Sequence, residues 1–257
     1  MTTDVRKVAL VTGAAKRIGR TIALALAQRG WDVAVHYGRS ATEADETVRA
    51  IEQLGRRAAA VQCDLADEAA VKALVREAMR ALGADTLNCV VNNASLFERD
   101  SASDFSVALL DAHIHANLAA PILLAQSLHG VTPEGAQSVV VNLLDQKLFN
   151  LNPDYLSYTL SKAALQSATT MLAQALAPKV RVVGVAPGIT LVSGDQTQEG
   201  FAKAHKLTPL GRSSTPDDVA STVCFVAENP AITGTTLLVD GGQHLIPLQR
   251  DVMFVAK

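Results

Sequence analysis

Tyr158 and Lys162 stand four residues apart in Tyr158-Thr159-Leu160-Ser161-Lys162, within a segment of helical character, so their side chains share one helix face. That spacing sets an ammonium beside a phenol. A phenol titrating near its ordinary value of about 10 is a poor proton donor and base at neutral pH; a neighbouring cation stabilises the phenolate and brings it into useful range. Alone, Tyr-x-x-x-Lys also describes many exposed pairs, so its weight rests on companions. One lies near the N-terminus, in Thr12-Gly13-Ala14-Ala15-Lys16-Arg17-Ile18-Gly19. This run follows a short apolar stretch and opens a helical one, where free backbone N–H groups and the helix dipole favour a phosphate and small residues let it approach. An ordinary glycine turn uses the same residues; the strand before and the helix after favour a dinucleotide site.

The elements that must position these groups are legible as β-branched runs alternating with Ala/Leu-rich amphipathic stretches. The pattern predicts a single-domain α/β fold of Rossmann type over residues 1–257, a doubly wound parallel sheet with helices on both faces. Expected strands are Val8 to Val11, Val33 to His36, Ala59 to Gln62, Leu87 to Val91, Ser138 to Asn142, Val180 to Val185 and Leu237 to Val239. Expected helices include Arg20 to Arg29, Thr42 to Leu54 and Glu68 to Leu82. Residues 190–210, polar and poorly periodic from Thr190 to Thr208, read as a mobile substrate lid. Residues 243–257 read as a C-terminal tail that either caps a site or neighbouring subunit or frays. After the second strand, where NAD-binding sheets carry an acid for the ribose, the chain has His36-Tyr37-Gly38-Arg39-Ser40. A guanidinium and a hydroxyl in place of that acid favour a 2'-phosphate, hence NADPH.

A net charge of −2, from 23 Lys and Arg against 25 Asp and Glu, provides no basic field for nucleic acid. The opening residues break at Gly13 too soon for a signal peptide, and no later stretch reads as long and apolar enough to span a bilayer, so no membrane partner and a cytoplasmic location are expected. Cys63, Cys89 and Cys224 are widely spaced in apolar contexts, as reduced core residues are. No metal site is expected, and His113, His115, His129 and His205 have no supported ligand spacing.

Taken in order, TGAAKRIG, Asp64 after the third strand, Asn92-Asn93-Ala94-Ser95, Asn117, YTLSK, Pro187-Gly188 and Val239-Asp240-Gly241-Gly242 resemble the short-chain dehydrogenase/reductase family over nearly the whole chain. The resemblance implies that Tyr158 donates a proton, that Lys162 holds the nicotinamide ribose and lowers the phenol pKa, and that Asn117 orders a relay water. It places Gly13, Arg17, Ile18, Gly19, His36, Tyr37, Arg39, Ser40, Asp64, Leu65, Asn92, Ala94, Ser95, Lys162, Pro187, Gly188 and Ile189 along the cofactor. A homotetramer is implied in the same way.

The substrate-orienting Ser usual in that family is replaced here by Asp145, thirteen residues before Tyr158. A carboxylate there repels the alkoxide developing from a simple ketone and suits a substrate whose ring nitrogen takes a proton. Pteridine reductases resemble the chain at this position, in the loop Arg17, in His36 to Ser40, and in Ser95 followed by Phe97; bacterial dihydromonapterin reductases are similar too, including His244-Leu245 after the late glycines. The resemblance makes Arg17, Ser95, Phe97, Asp145, Tyr158 and Leu191 substrate contacts, with Phe97 stacking a flat heterocycle. The implied reaction is NADPH-dependent reduction of a pterin or dihydropteridine C=N bond, Asp145 and Tyr158 sharing the proton. A general carbonyl or 3-oxoacyl reductase is the alternative, and a non-catalytic NADPH sensor a further one, which would not need Asn117, Tyr158 and Lys162 together.

Overall fold

Strands rich in Val and Ala, apolar on both faces, are what a sheet buried between two helical layers requires. In the computed structural model, which describes residues 6–193 and 196–255, seven of them form one parallel sheet: β1 (Lys7–Val11), β2 (Trp31–Tyr37), β3 (Ala58–Gln62), β4 (Cys89–Asn92), β5 (Ser138–Leu143), β6 (Val180–Pro187) and β7 (Thr236–Val239). Their order is β3-β2-β1-β4-β5-β6-β7. Successive residues alternate between two cores. Ala9, Val11, Val33, Val35 and Val91 pack with Ile22, Leu26 and Val223 on one face, while Val8, Leu10, Ala34, Val90 and Val140 pack with Leu74, Leu124 and Leu128 on the other. The strand order runs outward in opposite directions from β1 and β4, and ligands bind at the C-terminal ends of strands beside such a reversal.

The helices are α1 (Arg17–Gln28), α2 (Ala41–Gln53), α3 (Glu68–Leu82), α4 (Val107–Ile114), α5 (Ala120–Val131), α6 (Leu156–Ala175), α7 (Gln198–Lys206), α8 (Pro216–Glu228) and α9 (Val252–Val255). All seven expected strands and the three expected helices are present, with ends shifted by up to three residues. The ends of α3 follow from the sequence: the Asp67 carboxylate accepts from Ala69 N and Ala70 N, and Gly83 closes the helix in the left-handed conformation.

Two expectations need correction. The stretch from Thr190 to Thr208 is not loop throughout, because Thr197 Oγ1 accepts from Gly200 N at 3.0 Å and starts α7; residues 194 and 195 of the expected lid, and 256 and 257 of the tail, lie outside the described residues. Val107–Val131, 25 residues, is long and apolar enough to cross a membrane, with mean hydropathy 1.5 over an 18-residue window. The sequence reading had found no stretch long and apolar enough; the fold uses this one as helix lying on the core, with Ala120, Leu124, Ala125 and Leu128 buried.

Candidate active site

A cavity of about 230 Å3 opens at the C-terminal ends of β1, β4, β5 and β6, and Arg17, Ser95, Phe97, Asp145, Tyr158 and Lys162 are in its wall. Tyr158 is delivered there by α6, whose first turn is anchored by a buried carboxylate: Asp100 accepts from Ser157 N at 3.0 Å and from the Ser157 hydroxyl. Asp145 follows β5, at the N-cap of a short 3-10 turn (Gln146–Phe149), and accepts from Lys147 N at 2.8 Å. Tyr158 Oη donates to Asp145 Oδ2 at 2.8 Å. Burial pushes the Asp145 carboxyl above its ordinary range against two hydrogen bonds that favour the anion. Burial, then the charge of Asp145, raises the Tyr158 phenol well above its usual value.

Lys162 is also buried. Its ammonium donates to Leu143 O at 2.7 Å and lies 5.9 Å from the centre of the Tyr158 ring. Burial lowers its pKa to about 8, with Asp145 opposing. The expectation that Lys162 depresses the phenol pKa is therefore corrected: the nearby carboxylate and the loss of water outweigh a cation already engaged by a carbonyl. Tyr158 remains a phenol whose proton is shared with Asp145.

Asn117 sits in a π-helical turn (His115–Ala119) between α4 and α5. Its amide oxygen accepts from Leu96 N at 2.8 Å, and its nitrogen donates to Leu96 O and Ser161 Oγ, both at 3.0 Å. It thus braces the loop carrying Ser95 and Phe97 against α6. The Phe97 ring stacks on Tyr155 at 4.4 Å and meets the edge of Tyr158 at 4.7 Å, remaining 38% exposed. Ser95 Oγ contacts Leu96 O and Asn117 Oδ1.

The glycine loop is held open for a ligand. Gly13 has φ +61°, and a Cβ on Gly19 would stand 2.2 Å from Gly13 O, so neither position admits a side chain. Lys16, at the N-cap of α1, makes no side-chain cap and the first turn has no acid, leaving the helix dipole without a counterpart from the chain. Arg17, at φ 56°, donates to Val192 O at 2.9 Å and Ser193 Oγ at 3.3 Å, tying this loop to the segment before α7. Arg39 and Asp64 are exposed beyond β2 and β3, Tyr37 packs its ring on the core, Leu65 is half-buried, and Ser40 is the N-cap of α2. Ile18, Pro187, Gly188, Ile189 and Leu191 line the cavity.

Two residues expected along the cofactor do other work. His36 is buried, with Nδ1 accepting from Gly13 N at 3.1 Å and Nε2 3.1 Å from Cys63 O; burial lowers its pKa to about 4, so it is a neutral brace beneath the loop. Asn92 lies inside the sheet, donating to Asn142 Oδ1 at 2.8 Å, whereas Asn93 lines the cavity and donates to Thr12 O at 2.9 Å and Gly13 O at 3.2 Å. Ala94 N bonds to Thr12 Oγ1 at 3.0 Å. The sequence reading also missed Lys147, Gln196, Gln243, Asp251 and Met253, all in the cavity wall. Both amide atoms of Gln196 are buried with no hydrogen-bond partner among the described residues. Only the repeated Asn of Asn92-Asn93 offered any signal; the other five come from segments without periodicity.

The family model described as enoyl-(acyl carrier protein) reductase matches residues 13–244. An uncharacterised oxidoreductase of Methylorubrum extorquens is 35% identical over 92% of this chain and 97% of its own. A 3-oxoacyl-[acyl-carrier-protein] reductase of Staphylococcus aureus is 33% identical over 93% and 98%. Among solved structures, FolM alternative dihydrofolate reductase 1 from Brucella canis, complexed with NADP, is 41% identical with a TM-score of 0.90, covering 95% of this chain and 96% of that one. With its sheet order, its open glycine loop and its buried Tyr158–Lys162 pair, the chain belongs to the short-chain dehydrogenase/reductase family.

Proposed function

We propose that this NAD(P)-dependent oxidoreductase reduces a C=N bond of a pterin or dihydropteridine with NADPH, the dihydro form going to the tetrahydro form. The observation that carries the reading is the 2.8 Å hydrogen bond from the Tyr158 phenol to the Asp145 carboxylate, in a cavity that also presents the Phe97 ring. The Asp145 carboxyl, whose burial favours its protonated form, is the acid of the pair and the phenol its hydrogen-bond partner; together they suit protonation of a ring nitrogen and are poorly suited to stabilising an oxyanion. The likeness to the Brucella FolM reductases supports it.

The residues fit the cofactor. The uncapped start of α1 and the bare backbone of Gly13 and Gly19 would hold the pyrophosphate, and the exposed Arg39 with Ser40 the 2'-phosphate. Lys162 would hold the nicotinamide ribose. NADPH, when bound, supplies the hydride to the ring carbon. The protein supplies the proton to the adjacent nitrogen from the Tyr158–Asp145 pair. Phe97 orients the flat ring, and the unpartnered amide of Gln196 gains a hydrogen-bond partner that its burial otherwise denies it, a deficit of about 1–3 kcal/mol per group. The homotetramer implied by resemblance belongs to the same proposal.

The test is NADPH oxidation with dihydrobiopterin, dihydromonapterin and dihydrofolate against simple ketones, NADH being the alternative donor. Dihydropterin turnover is expected. Asp145→Ser is expected to lower it about 100-fold or more while NADPH affinity stays within a few-fold. A general carbonyl or 3-oxoacyl reductase is the second reading, favoured by the Staphylococcus relative; activity on ketones with none on any pterin would replace the first.

A further inference from the structure

The cavity wall near Asp145 and Tyr158 is completed by Asp251, Val252 and Met253, which arrive on a segment belonging to no strand. Side chains hold that segment. Arg250 Nε and Nη2 both donate to the Asp154 carboxylate, at 2.8 Å for the closest atom of each, and Asp251 N donates to Asp154 Oδ2 at 2.8 Å. Tyr155 Oη reaches Met253 Sδ at 3.6 Å, and the Arg250 guanidinium lies 5.1 Å from the Phe254 ring. Lys147, almost fully buried, links the tail to the reacting groups: its backbone N bonds to Asp145, while its ammonium bonds to Asp154 O and lies 3.4 Å from Asp251 Oδ2.

The position of Asp251 is thus fixed from three directions, since its other oxygen accepts from Met253 N at 3.1 Å. Its charge also reaches the centre. Asp251 adds to the upward shifts of both Asp145 and Tyr158, so its field acts on whatever is bound against the phenol. The charged groups in that wall are Arg17 from the glycine loop, Asp145 after β5, Lys147 from the 3-10 turn, Lys162 from α6 and Asp251 from the tail, with the neutral Tyr158 phenol among them.

We propose that Asp251 is a specificity-determining residue: a carboxylate built into the substrate wall that selects neutral, hydrogen-bond-donating substrates and disfavours those carrying a negative charge near the reacting ring. Like charges juxtaposed in a partly desolvated site cost enough to discriminate by tenfold or more, and a fixed acceptor rewards a hydroxyl or amino group. The proposal rests on the cavity being the substrate site of the reductase proposed above.

The experiment compares kcat/KM of the full-length enzyme with NADPH for a matched pair, hydroxymethyl-dihydropterin and the corresponding dihydropterin carboxylate. The wild type is expected to prefer the neutral member. Asp251→Asn keeps an acceptor for Met253 N, removes the charge and gives up the oxygen that accepts from Lys147; it is expected to shift the preference toward the carboxylate by about tenfold, through KM. The same substitution is expected to move to lower pH the limb on which kcat/KM falls as the donor pair loses its proton, because the field that raises the proton affinity of that pair is weakened. An unchanged preference, or an equal loss for both substrates, would overturn the proposal. Asp251→Ser provides a second neutral variant should the first not fold. If the wild type turns over no pterin, the functional reading has failed and not this one; a neutral keto ester and its free acid then measure the same preference, again with an unchanged ratio as the refuting result.

Discussion

The side chains of Tyr158, Asp145 and Lys162 occupy one small volume, and burial sets the behaviour of each. Lys162 has the clearest consequence. Its pKa is lowered to about 8, so the ammonium is charged below that pH and lost above it. Because kcat/KM reports titrations of the free enzyme, it is expected to fall as pH rises through about 8, and Lys162→Met is expected to abolish that limb along with most of the activity. A pH profile of both proteins checks this. The residue types and spacing of Tyr158 and Lys162 were readable from the sequence, and so was Asp145 at its telling distance. The pKa directions were not. Spacing shows that a cation neighbours a phenol, but it is blind to the Leu143 carbonyl that occupies the cation and to the dehydration that both groups undergo.

Strands and helices were legible almost throughout, since β1 to β7 each have an apolar run and α3 has both its caps. The errors fell on local roles. His36 and Asn92 occupy positions next to the cofactor loop, and a motif cannot tell a residue that touches a ligand from one that supports the backbone that does. The loop at the start of α1 is held by His36, Asn93 and Thr12 from three strand ends. Gly19→Ala is expected to force Cβ against Gly13 O and Asn93 Nδ2. Overpacking of this kind costs about 1–3 kcal/mol and lowers Tm by roughly 3–10 °C, with NADPH affinity falling beyond what the lost stability explains. Thermal melts with and without NADPH separate the two effects.

The two main cores share strands β1 to β6, one on each face, so the sheet couples them. A single cooperative calorimetric transition is expected for the whole chain, and two resolved transitions would contradict the one-domain reading. The cavity gathers residues from Arg17 to Met253, nearly the full length of the chain. That is why the part of the site nearest the cofactor was readable from motifs and the part formed by Lys147, Gln196 and Asp251 was not: the latter depends on tertiary contacts between aperiodic segments. The tail is joined to the rest through the Asp154–Arg250 and Lys147–Asp251 pairs, the hydrogen bond from Asp251 N to Asp154 and a few ring contacts instead of ladder hydrogen bonds. Its sequence can therefore drift while the sheet stays intact. The wall that the tail adds to the cavity is thus mechanically separable from the sheet that carries the glycine loop.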